Sequence, residues 1–131
     1  MDMYKEIILD HYKNPRNTEE IDKPDTEIKN SSSESCGDTI NLSLKIKNNI
    51  ITKIMQKTQG CALSRASMSL LSEYAKGKTL DEINNMTPEK LYQIIGFEPS
   101  ISRTNCVLIS IETLKSAIEK YRKGKKNETR A

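Results

Sequence analysis

The chain has no tryptophan, one phenylalanine, one histidine and only three cysteines. With so few aromatics, isoleucine, leucine and methionine must supply the buried surface, and 131 residues suit one domain with one modest core. A single histidine, His11, rules out a histidine-rich metal site and leaves Ser64, Ser67 and Ser69 with no neighbouring base in sequence to activate them. Those serines are expected to pack and cap. Three cysteines cannot all pair within one chain, and a reducing compartment keeps them as thiols. There is no C-x2-C knuckle, so zinc-finger spacing does not apply. No apolar run approaches the roughly 18 residues of a membrane span, and the first residues do not read as a signal peptide. The expected location is the cytoplasm, with no membrane partner.

The net charge is +3, but it is unevenly placed. From Glu119 onward Lys120, Arg122, Lys123, Lys125, Lys126 and Arg130 stand against Glu119 and Glu128, so the body before them is near neutral. A basic helix end is ordinarily a solvated one. Nucleic-acid binding spreads basic residues over a face with aromatics between them, and no such face is visible, so nucleic acid is not expected as a partner. The domain is expected over residues 1–123, with 124–131 a disordered basic tail.

Along the chain the periodicity changes twice. In residues 2–13, Tyr4, Ile7, Ile8, His11 and Tyr12 fall on helical spacing, and Pro15 in "NPRN" stops the helix. Residues 18–35 are polar and read as a mobile loop. Ile40, Leu42, Leu44 and Ile46 then alternate with polar residues as a half-buried strand does, and Asn48-Asn49 turns the chain into a second strand over 50–58. From Leu63 the period is helical again, on the face Leu63, Ala66, Ser67, Leu70, Leu71 and Tyr74. "TLDE" at 79–82 is a capping box, and Thr87-Pro88 opens another helix that ends near Gly96. Val107, Ile111, Leu114, Ile118 and Tyr121 form the stripe of a last amphipathic helix starting at Ser102 or Thr104. The fold class is α+β: an N-terminal helix, a small antiparallel sheet, then several helices packed on one face.

The cysteines acquire positions from this layout. Cys36 leads into the first strand, Cys61 precedes a helix, and Cys106 lies in the first turn of the last helix. A helix N-terminus presents free N–H groups and a positive dipole end, which favour thiolate, and Arg103 adds charge near Cys106. Spacings of 25 and 45 residues match no knuckle. Three thiols and Asp38 make four donors, enough for tetrahedral zinc or for a cluster of two irons. Spacing by itself equally allows three inert buried cysteines.

Four stretches resemble the IscU/NifU-type iron–sulfur cluster assembly scaffold family, and they stand in its order: "ILDHYKNPRN" at 8–17, "CGDTINLSLKI" at 36–46, "QGCALSRASMSLL" at 59–71 and "TNCVLISIETLKSAIEKY" at 104–121. The resemblance implies an IscU/SufE-like fold and a scaffold that is not itself an enzyme. Such a scaffold takes sulfur from a cysteine desulfurase and iron from an iron donor. It assembles a transient 2Fe-2S cluster and passes it to apo iron–sulfur recipient proteins; a homo-oligomer is compatible with this role. The family's ligand set maps onto Cys36, Asp38, Cys61 and Cys106, with the three cysteines as sulfur acceptors. The chain departs from many scaffolds in two places. Asn105 stands where they carry a histidine, and "FEPSISRTNC" replaces an LPPVK segment read by a chaperone. Arg103-x-x-Cys106 resembles the SufU branch, whose members hold zinc on the same residues and act as sulfurtransferases. That branch carries an insertion between the second and third cysteines for which this chain has no room. The expectation is therefore the scaffold, with zinc able to occupy the same four residues.

Overall fold

A computed structural model describes the backbone of residues 3–31 and 38–130, and the side chains of 5–29 and 38–124. The elements run α1 (Met3–Lys13), β1 (Thr26–Ser31), β2 (Thr39–Lys47), β3 (Ile50–Gln59), α2 (Ala62–Ala75), α3 (Leu80–Asn84), α4 (Pro88–Ile95), a 3-10 turn (Ile101–Arg103) and α5 (Thr104–Arg130). The three strands form one antiparallel sheet in the order β1-β2-β3. The α+β expectation holds.

The β2–β3 hairpin follows from two asparagines. Asn48 and Asn49 both take positive φ, 54° and 62°, which suits a two-residue turn matched to the right-handed twist of the strands. Ile40, Leu42, Leu44 and Ile46 point one way and are buried, as their alternation requires. A register shift between Lys45 and Ile46 then moves the pairing by one residue. Beyond that bulge Thr39 pairs with Gln59, so the ladder's next step sets Asp38 across from Gly60. The bulge thereby decides which residue the carboxylate meets.

β1 corrects the expectation of a loop through 18–35. Thr26–Ser31 pairs with β2 from Thr26↔Leu44 to Ser31↔Thr39. The segment before it is tied down as well: Asp25 N–H donates to the Leu44 carbonyl, Ile46 N–H to Asp25 Oδ2, and Lys57 pairs with Glu20. The residues of this region that are described do not form a mobile arm.

α2 and α5 cover the sheet, and the core gathers Ile40, Leu42 and Leu44 against Met68, Leu71, Val107, Leu114 and Ile118. α2 is buried on more than the expected face, because Ser64, Met68, Ser69 and Ser72 are also covered. α1 and the turn after it meet that serine side. The Arg16 N–H donates to Ser69 Oγ (2.9 Å), His11 Nδ1 lies 2.7 Å from the same hydroxyl, and Asn17 Nδ2 donates to Ser72 Oγ (2.9 Å). Arg65 sits over the Tyr12 ring at 4.7 Å. Ile7, on the helical spacing of α1, is 40% exposed. Thr79 and Thr87 cap α3 and α4 through their side chains, and α4 closes at Gly96 with φ 95°. α5 continues as helix to Arg130, through most of the stretch whose composition reads as a disordered tail.

Candidate metal centre

Two chain segments and two helix starts converge at one end of the sheet. Asp38 is the residue before β2, and it is fully buried. Across from it Gly60 takes φ 150°, and Cys61 then opens α2 as its N-cap in extended geometry, φ −71° and ψ 164°. Cys106 lies in the first turn of α5 and is buried, whereas Cys61 is half-buried. Because α2 packs on α5, the two helix starts lie side by side: Ser64 Oγ lies 3.1 Å from the Cys106 carbonyl oxygen. One oxygen of Asp38 and the sulfurs of Cys61 and Cys106 all lie within 4.8 Å of one another.

Gly60 is the condition for this approach. A Cβ built there would lie 1.9 Å from Asp38 Oδ1 and 2.6 Å from Asp38 Cγ. Only hydrogen at that position lets the buried carboxylate lie against the backbone, and the positive φ also favours glycine.

Asp38 is held at both oxygens. Cys61 N–H donates to Oδ1 at 3.2 Å, and Ser64 Oγ–H donates to Oδ2 at 2.5 Å. The Cys61 thiol is held as well: Ser64 N–H approaches Sγ at 3.5 Å, and Ser64 Oγ lies 3.3 Å from it. Burial pushes the Cys61 thiol pKa up, but hydrogen bonds from the Ser64 side chain and backbone and from Cys106 outweigh it, against the repulsion of Asp38. The net shift is downward, toward thiolate, as expected at a helix start. Two soft sulfur donors and a carboxylate at this separation suit a thiophilic ion such as zinc or iron.

The chain matches the NifU-like N terminal domain family over residues 3–128. It belongs to that family. Among its relatives, the "Iron-sulfur cluster assembly scaffold protein IscU" of Haemophilus influenzae is 33% identical over 122 residues, 91% of this chain and 95% of that one. "Iron-sulfur cluster assembly scaffold protein IscU 1" of Archaeoglobus fulgidus is 34% identical over 119 residues, 91% of this chain and 76% of that one. In fold, this NifU-like domain superposes on the crystal structure of a nitrogen-fixing NifU-like protein (N-terminal) from Brucella abortus. The TM-score is 0.77 at 23% identity, over 92% of this chain and 94% of that one.

Of the four ligand candidates read from the sequence, Asp38, Cys61 and Cys106 come together in this NifU-like domain; Cys36 lies outside the described residues. Asp38, three residues beyond the stretch read as a loop, is buried and doubly hydrogen-bonded. Arg103 is exposed in the 3-10 turn that precedes α5. His11 packs against α2 and hydrogen-bonds Ser69, as its place in the first helix suggests. Ser64, read from the sequence as a packing and capping residue, is the one whose place at the site was missed. Its one local signal is its position three residues after an N-cap, the place where a capping partner stands.

Proposed function

We propose that this protein is a scaffold on which an iron–sulfur cluster is assembled and from which it is passed to apo-proteins. The observation that carries the reading is the gathering of Asp38, Cys61 and Cys106 within 4.8 Å at two helix starts of a NifU-like domain. In this reading Cys36 supplies the fourth ligand from the segment that leads to Asp38, and the cargo is a 2Fe-2S cluster. Thiolates hold the irons tightly and each can take a sulfur atom as persulfide. The carboxylate oxygen is a harder donor, less matched to a cluster iron, and one weaker ligand helps a scaffold that has to let go. The partners are a cysteine desulfurase, an iron donor and iron–sulfur recipient proteins, in the cytoplasm. No helix among the described residues is long and apolar enough to cross a membrane.

Anaerobic purification followed by addition of iron, cysteine and a desulfurase tests the reading. A brown protein with sulfide-to-iron absorption and about two irons per site is expected. A colourless protein that keeps one zinc and accelerates the desulfurase would support the sulfur-acceptor alternative instead.

A further inference from the structure

We propose that Ser64 is a positioning residue of the metal centre: its hydroxyl orients the Asp38 carboxylate toward the ion and so sets how firmly the site holds metal. This rests on reading Asp38, Cys61 and Cys106 as ligands. Ser64 is fully buried, and its Oγ lies within reach of Asp38 Oδ2 (2.5 Å), the Cys106 carbonyl (3.1 Å) and Cys61 Sγ (3.3 Å). A hydroxyl has one proton and two lone pairs. As a metal ligand Asp38 acts as a carboxylate, and it and the carbonyl can only accept, so the proton goes to the shortest partner, Asp38.

The arrangement is a rebuilt capping box. In the ordinary form, the side chain three residues after the N-cap reaches back to the N-cap N–H. Here the N-cap is Cys61, and its N–H is taken by Asp38 Oδ1 from the start of β2. Ser64 completes the box by donating to the other oxygen of the same carboxylate. Each oxygen of Asp38 keeps a lone pair free, while the rotation of the carboxylate is fixed. Ser64 also contacts the thiol in two ways that substitution separates. Its backbone N–H toward Cys61 Sγ survives replacement of the side chain, and its hydroxyl does not.

The test uses the full chain, reduced and metal-free, titrated with Zn2+ in competition with a chelator, and with Co2+ as a spectroscopic probe. Ser64→Ala is expected to weaken Zn2+ binding by roughly 10- to 100-fold, the usual cost of losing a group that orients a metal ligand. Thiolate-to-cobalt absorption should persist in this variant while the d–d bands shift, because the sulfurs stay and the carboxylate loosens. In an Asp38→Ala background the same change should alter affinity by less than about threefold, since the hydroxyl acts through Asp38. Ser67→Ala, one turn further along α2, should leave Zn2+ binding unchanged. If Ser64→Ala fails to fold, Ser64→Thr and Ser64→Val carry the same extra methyl, and Thr should bind Zn2+ about tenfold tighter than Val. Unchanged or tighter binding in Ser64→Ala, an equal loss in the Asp38→Ala background, or no difference between Thr and Val would overturn the role of Ser64 while leaving the ligand set standing. Unchanged Zn2+ affinity in Asp38→Ala itself would overturn the ligand reading and this role with it.

Discussion

Gly60→Ala is the sharpest perturbation of the junction between sheet and site. The new methyl would lie 1.9 Å from Asp38 Oδ1, 2.6 Å from its Cγ and 3.1 Å from its Cβ, so the buried Asp38 has to move. Moving it breaks the bonds from Cys61 N–H and Ser64 Oγ–H, each a charge-assisted contact worth about 1.5–3 kcal/mol. Alanine at φ 150° adds roughly 1–3 kcal/mol of backbone strain. Some relaxation offsets these costs, so the expected loss is about 3–6 kcal/mol, a large part of the stability of an ordinary domain. Urea unfolding of the metal-free protein should show the midpoint falling by about 2 M, or no folded baseline at all. Combining the change with Asp38→Ala separates the two terms. With the carboxylate gone, the penalty of Gly60→Ala should shrink to the strain alone, about 1–3 kcal/mol. Gly124→Ala is the contrasting case: nothing lies within 4 Å of its would-be Cβ, on a helix, so it should stabilise by about 0.5–1 kcal/mol. A Gly60→Ala midpoint within about 0.3 M of the parent would refute the steric argument, and with it the view that Gly60 makes room for Asp38.

Three further outcomes are expected. Ser67 Oγ is buried with no hydrogen-bond partner among the described residues, so Ser67→Ala should raise stability by about 1 kcal/mol in urea unfolding; destabilisation would mean the hydroxyl is satisfied. His11 has its pKa lowered, first by burial and then by the Arg16 charge, against the opposing pull of Glu73 and Asp10. Its unfolded form therefore takes up the proton more readily. The contribution of His11 to stability is present above its ordinary pKa of 6.5 and is lost as the pH falls from there toward the folded value. Urea midpoints should drop between about pH 7.5 and 5.5, and His11→Gln should flatten that slope; an unchanged slope would contradict the assignment. Asp38→Cys replaces the hard donor with a fourth thiolate, so its cluster should persist longer and transfer more slowly to an apo-ferredoxin; equal or faster transfer would count against the weak-ligand argument.

The parts of the fold that could be read from the sequence are those coded over a few neighbouring residues. Asn48-Asn49 marked the hairpin because both residues tolerate positive φ, and Thr79 and Thr87 marked helix starts because a cap bonds within its own turn. The stripe from Val107 to Ile118 is buried throughout, since one helix face meeting a sheet needs that period. β1 was not legible. "TEIKNS" carries one large apolar residue, Ile28, and its hold on the sheet comes from backbone pairing with β2 rather than from an alternating face. α1 was legible from its spacing, but its docking was not: His11 and, in the turn after the helix, Arg16 and Asn17 hydrogen-bond the serines of α2, which no apolar periodicity announces.

At the site, Cys61 and Cys106 could be placed at helix starts from pattern alone, Asp38 stood out as a fourth donor two residues after Cys36, and the family resemblance marked the set as ligands. The contact of Asp38 with Gly60 depends on a one-residue bulge at Lys45/Ile46, which no local signal announces. Ser64 was hidden for a related reason. Its partner Asp38 is 26 residues earlier, and a serine near a helix start looks like any other capping residue.

The scaffold role itself is tested most directly by following a cluster through the protein. The chain would be loaded anaerobically with iron and desulfurase-derived sulfide, freed of excess reagents, and mixed with an apo-ferredoxin in the presence of an iron chelator. The expected result is that the ferredoxin acquires its 2Fe-2S spectrum at the rate the donor loses its own, with little iron lost to the chelator, and that Cys61→Ser or Cys106→Ser abolishes loading. A protein that takes up no iron under these conditions, or whose iron passes to the chelator rather than the ferredoxin, would contradict the account.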